Sequence, residues 1–327
     1  MGKKAEFGPT LVELYSGAGL FSYAFAKEHF TILNAIEIDL AAAATYRTNL
    51  GDHITVGDVR SITPRGRCQV LTAGIPCQGF STLGKRDLND PRNLLGLEVP
   101  RWARILKPQI IVMENVPAFL QAPVWNVLTK RLKRLGYQVN AVVLNAFDFG
   151  APQNRIRSFT FASRGKLPNV KLPLHHRVTN VREAWQDLSR IPNGVNNHYA
   201  PEPSELALSR MRVIPPGGDK RDIMKHAPHL AAPSWWRLRS EITDVWGRME
   251  WLEPSNTIRT ALLNPSKGRY IHPDQNRVIS LREAARLQTI PDDWTFLGLP
   301  TQIARQIGNS VPPVLGRAVA RAIYAAL

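Results

Sequence analysis

Cysteine is nearly absent. The chain has two in 327 residues, Cys68 and Cys77. That excludes a disulfide framework, and nothing has the spacing of a zinc site, so no metal is expected. Long apolar runs are missing as well. No stretch reaches the roughly 18 consecutive apolar residues of a membrane span. The opening "MGKKAEFGPT" lacks the apolar segment of a secretory signal. A cytoplasmic protein with free thiols and no membrane partner is expected. Acidic residues are the minority charge, 26 Asp and Glu against 42 Lys and Arg, for a formal net charge of +16. Such a surface favours a polyanionic partner. The basic residues are scattered and mostly single, which reads as a folded basic surface and not a disordered arm.

What is present is an alternation of short apolar runs and amphipathic stretches. "TLVELY" (10–15), "TILNAIEI" (31–38), "HITVGDV" (53–59), "CQVLTAG" (68–74), "QIIVMEN" (109–115), "YQVNAVVLNA" (137–146) and "IRSFTFAS" (156–163) read as strands. Helical spacing occupies 18–30, 40–50 and about 123–135. The pattern predicts an α/β fold with a mostly parallel, doubly wound, Rossmann-like sheet. Ligands of such sheets sit at the carboxyl ends of the strands. After about residue 165 the texture changes. Pro, Asn, His and Trp crowd "LPLHHRV", "IPNGVNNHYAPEPS" and "APSWWRLRS", which predicts a second, smaller, irregular domain. Regular helix returns at 281–290 and 312–327. The expected division is 1–175 with 300–327, and 176–299.

Four stretches carry chemistry. In "ELYSGAGLFS" (13–22) a strand ends, a G-x-G turn follows and a helix opens, a geometry suited to close ligand approach. A dinucleotide fingerprint would want a third glycine where Ser22 stands. Glu37 and Asp58 follow at strand ends. A nucleoside cofactor without pyrophosphate fits, and so does a tight turn with no ligand. In "AGIPCQGFST" (73–82), Cys77 lies past a strand, in a loop, with Lys85 and Arg86 nearby. It is either a small buried side chain or a nucleophile whose thiolate those surroundings favour; Cys68, at the head of an apolar strand, suits packing. In "VMENVP" (112–117), Glu114 emerges at a strand tip, as an acid or as a helix cap. In "QNRIRSF" (153–159), Arg155 and Arg157 alternate at strand period, as a pair of anion anchors or as solvated charge.

In this order and combination the stretches resemble the DNA (cytosine-5) methyltransferases over nearly the whole chain. "ELYSGAGLFS" resembles the family's cofactor motif, "GIPCQGFS" its nucleophile motif, "MENV" its glutamate motif and "QNRIRSF" its Gln-x-Arg-x-Arg motif. "RVISLREAARLQTIPDDW" (277–294) and "QIGNSVPP" (306–313) resemble the last two. The resemblance implies S-adenosylmethionine as methyl donor, with S-adenosylhomocysteine as product, and double-stranded DNA as substrate. It implies a large catalytic domain completed by the C-terminal helix and a small domain that reads the target. It assigns catalysis to Cys77, Glu114, Arg155 and Arg157. It assigns the cofactor to Tyr15, Ser16, Gly17, Ala18, Gly19, Glu37 and Ile38, with Asp58 and Val59 at the adenine and Pro76, Leu95 and Asn309 closing the pocket. Glu13, Tyr15 and Leu20 depart from the family's usual Asp, Phe and Gly.

The compact length fits a monomeric enzyme of the prokaryotic restriction–modification type, in a bacterial or archaeal cytoplasm. The base must leave the duplex to be reached, and the loop 79–97 is a candidate lid over it. An RNA cytosine-5 methyltransferase on the same fold is the alternative, although the Cys-Phe-Thr tripeptide of tRNA-acting relatives is absent. A catalytically dead DNA-binding protein is a third reading, against which Cys77, Glu114, Arg155 and Arg157 all stand. Arg210, Arg212, Arg237 and Arg239 are candidates for base contact. The target sequence itself is not written in any readable code.

Overall fold

Strand β1 (Thr10–Leu14) is followed in turn by α1 (Leu20–Ala26), β2 (Thr31–Glu37), α2 (Leu40–Leu50), β3 (Ile54–Val56), β4 (Val70–Gly74), α3 (Glu98–Leu106), β5 (Ile110–Asn115), α4 (Pro123–Arg134), β6 (Gln138–Asn145) and β7 (Ile156–Ser163). The computed structural model describes residues 8–76, 91–173, 179–237 and 244–327. The seven strands form one sheet in the order β3-β2-β1-β4-β5-β7-β6. β1 through β5 pair in parallel; β7 runs antiparallel to both β5 and β6. The sheet is thus mostly parallel, and its strand order reverses between β1 and β4, the position where such sheets bind ligands.

The central strands are apolar on both faces because helices cover both. On one face Leu71, Ala73, Ile111 and Met113 pack against Val99, Trp102, Ala103 and Leu106 of α3 and Leu128 and Leu132 of α4. α3 lies between the sequence's expected elements. Its apolar residues fall at i, i+3, i+4 and i+7, the spacing of one helix face. The other face carries α1, whose Phe21 meets Phe159 of β7 at 6.4 Å, and α2, whose Tyr46 packs with Ala35 and Ile54. Asp39 caps α2 by accepting from the Ala41 and Ala42 N–H groups, both at 3.0 Å.

The chain continues through α5 (Val181–Trp185), α6 (Glu205–Val213), α7 (Lys220–His226), α8 (Leu281–Leu287), α9 (Pro300–Asn309) and α10 (Pro313–Tyr324). Two compact units result: Met1–Phe149 with Ile156–His175 and Val311–Leu327, and Gly150–Arg155 with His176–Ser310. Residues 150–155 and 300–310 belong to the second unit. In the first unit α10 packs on α1 so closely that a Cβ on Gly316 would lie 2.7 Å from the Ala24 Cβ. The second unit has no strand among the described residues, only isolated bridges. Its irregular backbone leaves carbonyls without ladder partners, and buried arginines answer them. Arg248 donates to the carbonyls of Met211, Ile214, His272 and Gln275 and to the Asn276 side chain, at 2.6–2.8 Å. Arg282 donates to the carbonyls of Asn196, Pro291 and Trp294. Arg277 holds Glu283 through two bonds of 2.8 and 2.7 Å. Among the described residues no helix is long and apolar enough to cross a membrane.

Candidate active site

The glycine turn follows β1 directly. Tyr15 adopts a left-handed φ of 59° and Gly17 one of 54°. The Ser16 N–H donates to the Ile36 carbonyl at 3.0 Å, pinning the turn to β2. A Cβ on Gly17 would meet nothing within 4 Å, so this glycine opens on free space. Gly19 caps α1 at φ 90° and is needed for a different reason: a Cβ there would strike the Tyr46 ring at 2.6 Å. Ala18 is buried beside it. Beneath the turn the Glu13 carboxyl is fully buried with Ser22 as its hydrogen-bond donor. Burial pushes Glu13 up to about 8, so it is largely neutral at pH 7.

Glu37 ends β2, facing the same turn. Its carboxylate accepts from the Gly17 N–H at 2.7 Å, the Ile38 N–H at 2.9 Å and the Asp39 N–H at 2.7 Å. Burial raises its pKa, against the pull of those three backbone bonds. Ile38 projects into solvent, 64% exposed. Asp58 follows β3 and is gripped by Arg60, whose Nε and Nη2 bond its two oxygens at 2.5–3.1 Å. Those bonds hold its carboxyl below the usual range. Arg60 lies two residues on, so a D-x-R spacing was the signal for this pairing. Val59 is buried, and its carbonyl accepts from Arg101 at 2.5 Å.

β4 ends at Gly74 and leads through Ile75 and the half-buried Pro76 to Cys77. Cys77 itself, with the segment through residue 90 that includes Lys85 and Arg86, lies outside the described residues. The end of the expected lid is described, and it is anchored. Leu95, in the 3-10 turn Pro91–Leu97, accepts from the Tyr15 hydroxyl at 2.8 Å. Cys68 packs in the core, where burial pushes its thiol up to about 12.

Glu114 and Asn115 end β5. Asn115 donates to the Ile75 carbonyl at 3.2 Å and so ties the β5 tip to the chain two residues before Cys77. Its own Oδ1 accepts from the Val116 N–H at 2.8 Å. The buried Glu114 meets Arg157 of β7 at 3.1 Å. That contact exists because β7 is antiparallel, which brings its amino end beside the carboxyl end of β5; Asn115 pairs with Ser158.

Arg155 behaves differently from the expected twin of Arg157. It precedes the first residue of β7 and belongs to the second unit, so strand alternation does not govern it. It is 1% exposed. Its guanidinium donates to the carbonyls of Ile258, Gly308 and Ser310, each at 2.9 Å. The solvated reading fails: the side chain is buried and its partners are backbone carbonyls. Gln153 is likewise buried, donating to the Leu287 carbonyl at 3.0 Å and accepting from the Ile258 N–H at 2.8 Å. Asn309, the last residue of α9, is exposed in that same unit.

The family of C-5 cytosine-specific DNA methylases matches residues 10–325. The chain belongs to that family. This methylase is 34% identical to Type II methyltransferase M1.HphI of Haemophilus parahaemolyticus, over 96% of its own chain and 86% of the relative. It is 32% identical to Type II methylase M.HgiDII of Herpetosiphon aurantiacus, over 96% and 94%. In fold it is similar to a candidate DNA modification methyltransferase encoded within an E. coli prophage, with a TM-score of 0.76 at 22% identity over 98% and 99% of the two chains. The S. pombe Dnmt2 methyltransferase gives 0.61 at 20% identity over 96% and 98%.

In the second unit of the methylase, Arg210 is half-buried against aromatic rings. Its guanidinium packs over both Trp235 and Trp246, 5.0 and 5.2 Å from their ring centres, and donates to the Leu230 carbonyl at 2.7 Å. Arg212 and Arg237 are exposed; Arg239 lies outside the described residues.

Proposed function

We propose that this cytosine-5 DNA methylase is a type II modification enzyme that works on a flipped-out cytosine through a covalent adduct with Cys77. The arrangement that carries the reading is the carboxyl edge of one sheet. The glycine turn, Glu37, the Ile75–Pro76 approach to Cys77, Glu114 and Arg157 all emerge there, with Asn115 cross-linking two of the strands.

Methylases of this family take their methyl group from S-adenosylmethionine, whose sulfonium supplies an electrophilic methyl. The residues fit such a group. Gly17 leaves space at the turn, and Glu37 is a carboxylate already oriented toward it by backbone N–H groups. In the proposal Tyr15, Ser16, Gly17, Ala18 and Gly19 cradle the tail, and Glu37 takes the ribose hydroxyls. The apolar Ile38 and Val59 flank the adenine, with Asp58, Pro76, Leu95 and Asn309 around it.

Carbon 5 of cytosine is a poor nucleophile. Addition of the Cys77 thiolate to carbon 6 places electron density on carbon 5, which then accepts the methyl. In the proposal a protonated Glu114 faces ring nitrogen 3 and gives its proton to the negative charge developing there, and Arg157 holds Glu114 in place. Loss of the carbon 5 proton and departure of the thiolate restore the ring. Extrusion of the base costs a few kcal/mol and makes these atoms reachable. Bisulfite sequencing of DNA from cells expressing the protein tests the reading: protected cytosines in one recurring sequence are expected. A conversion pattern identical to that of cells without the protein would overturn it.

A further inference from the structure

The first unit carries a cleft of about 680 Å3 that neither the glycine turn nor Glu37 lines, although Leu95, assigned above to the cofactor, borders one end of it. Five arginines border it, Arg60, Arg101, Arg104, Arg131 and Arg134, against one acid, Glu98. Glu98 is already paired with Arg101 at 2.5 Å. Arg101 also serves the Val59 and Ile62 carbonyls, and Arg60 serves Asp58. The other three arginines are exposed and have no carboxylate partner among the described residues. Arg104 stands in the last turn of α3, and Arg131 and Arg134 stand in the last turn of α4.

A cation in a helix's last turn is favoured by the dipole, by about 0.3–1 kcal/mol. That accounts for each arginine singly. It does not account for three on two helices lining one cleft. The remaining lining is apolar, with Leu94, 59% exposed, and Pro100 and Leu135 among it. Unpaired guanidiniums over an apolar floor suit a chain of phosphates joined by apolar sugars. By topology, the cleft starts at Arg60, beyond the carboxyl end of β3, and reaches the carboxy-terminal turn of α4. It therefore runs from the edge that carries the active-site residues toward the opposite edge.

We propose that this groove is a second contact for duplex DNA, taking the sugar–phosphate backbone that flanks the target site. It rests on the reading that the enzyme acts on DNA. Arg104, Arg131 and Arg134 contact phosphates and carry no sequence information. The groove lengthens the DNA the enzyme holds and leaves the chemistry at the target base unchanged.

The test compares the full-length wild type with the triple variant R104Q/R131Q/R134Q on two duplexes, one with the target site alone and one with long flanks. Binding is measured across a salt series, and methyl transfer is measured on the short duplex. On the long duplex the variant's slope of log affinity against log salt is expected to be shallower by roughly 2–3, about 0.9 for each phosphate that is no longer neutralised. Over a fourfold rise in salt the wild type then loses roughly 20- to 60-fold more affinity than the variant. Binding and methyl transfer on the short duplex are unchanged, which also shows that the variant is folded. An unchanged slope on the long duplex overturns the proposal, and so does an equal fall in affinity on both duplexes. GTP binding to the wild type but not to the variant, with DNA slopes unchanged, would make the cleft a small-nucleotide site and would also overturn it. If the wild type methylated no DNA, the catalytic reading would fail, while the salt slopes would still judge the groove.

Discussion

Glu37 is bonded by three backbone N–H groups, so its carboxylate is oriented before any ligand arrives. Removing it takes away a charged acceptor and leaves the Gly17 N–H without its carboxylate partner. Bonds to charged groups contribute about 1.5–3 kcal/mol each. Glu37→Ala is therefore expected to weaken S-adenosylmethionine affinity roughly 10- to 100-fold by calorimetry, with DNA affinity little changed. Unaltered cofactor affinity would remove Glu37 from the pocket. Single residues were legible from sequence where a local rule applied. Glu37 ends a strand and faces a glycine turn, and both features were written in the chain. Arg155 was not legible in this way. Alternation places side chains only inside a strand, and β7 begins one residue later. Its partners, the carbonyls of Ile258, Gly308 and Ser310, lie more than 100 residues away in the chain.

At the scale of elements, the parallel strands and the C-terminal helix followed from apolar periodicity, and the turn after β1 from its G-x-G glycines. Helix α3 carries the same periodicity in "EVPRWARIL", but it sits behind a loop-like stretch that drew the expectation of a lid. The antiparallel β7 was a matter of pairing, which a single strand's sequence does not encode; yet it is what brings Arg157 to Glu114. α9 owes its position to Arg155 and to Gly308, where a Cβ would lie 2.4 Å from the backbone of Arg259 and Thr260. Arg155→Ala would strand three buried carbonyls in that packing. Each unsatisfied group costs about 1–3 kcal/mol, so a loss of at least about 3 kcal/mol is expected in urea unfolding. Lysine, with one donor head in place of a planar fork, restores little of it. An Arg155→Ala protein of wild-type stability and reduced turnover would instead return Arg155 to the substrate.

For the molecule as a whole, the excess of positive charge does two different jobs. Part of it is structural. Arg155, Arg248, Arg277 and Arg282 are buried and hold together a unit that has no sheet among its described residues. Composition alone could not separate these from the exposed arginines of the first unit's cleft, because it counts charges and not their burial. The expectation of a second, irregular domain rested on a change of texture near residue 165. The second unit's ends at Gly150–Arg155 and at Ser310 were not legible there, since they depend on long-range hydrogen bonds of Gln153 and Arg155.

The central claim is a covalent bond between Cys77 and the target base. A duplex carrying 5-fluorocytosine at the position found by bisulfite sequencing tests it, because fluorine blocks the final loss of a proton from carbon 5. With S-adenosylmethionine present, the wild type is expected to form a denaturant-stable adduct whose mass equals protein plus methylated DNA and whose modified peptide contains Cys77. Cys77→Ser should form none while still binding the cofactor. An active wild type that yields no adduct, or an adduct at any other residue, would contradict the account.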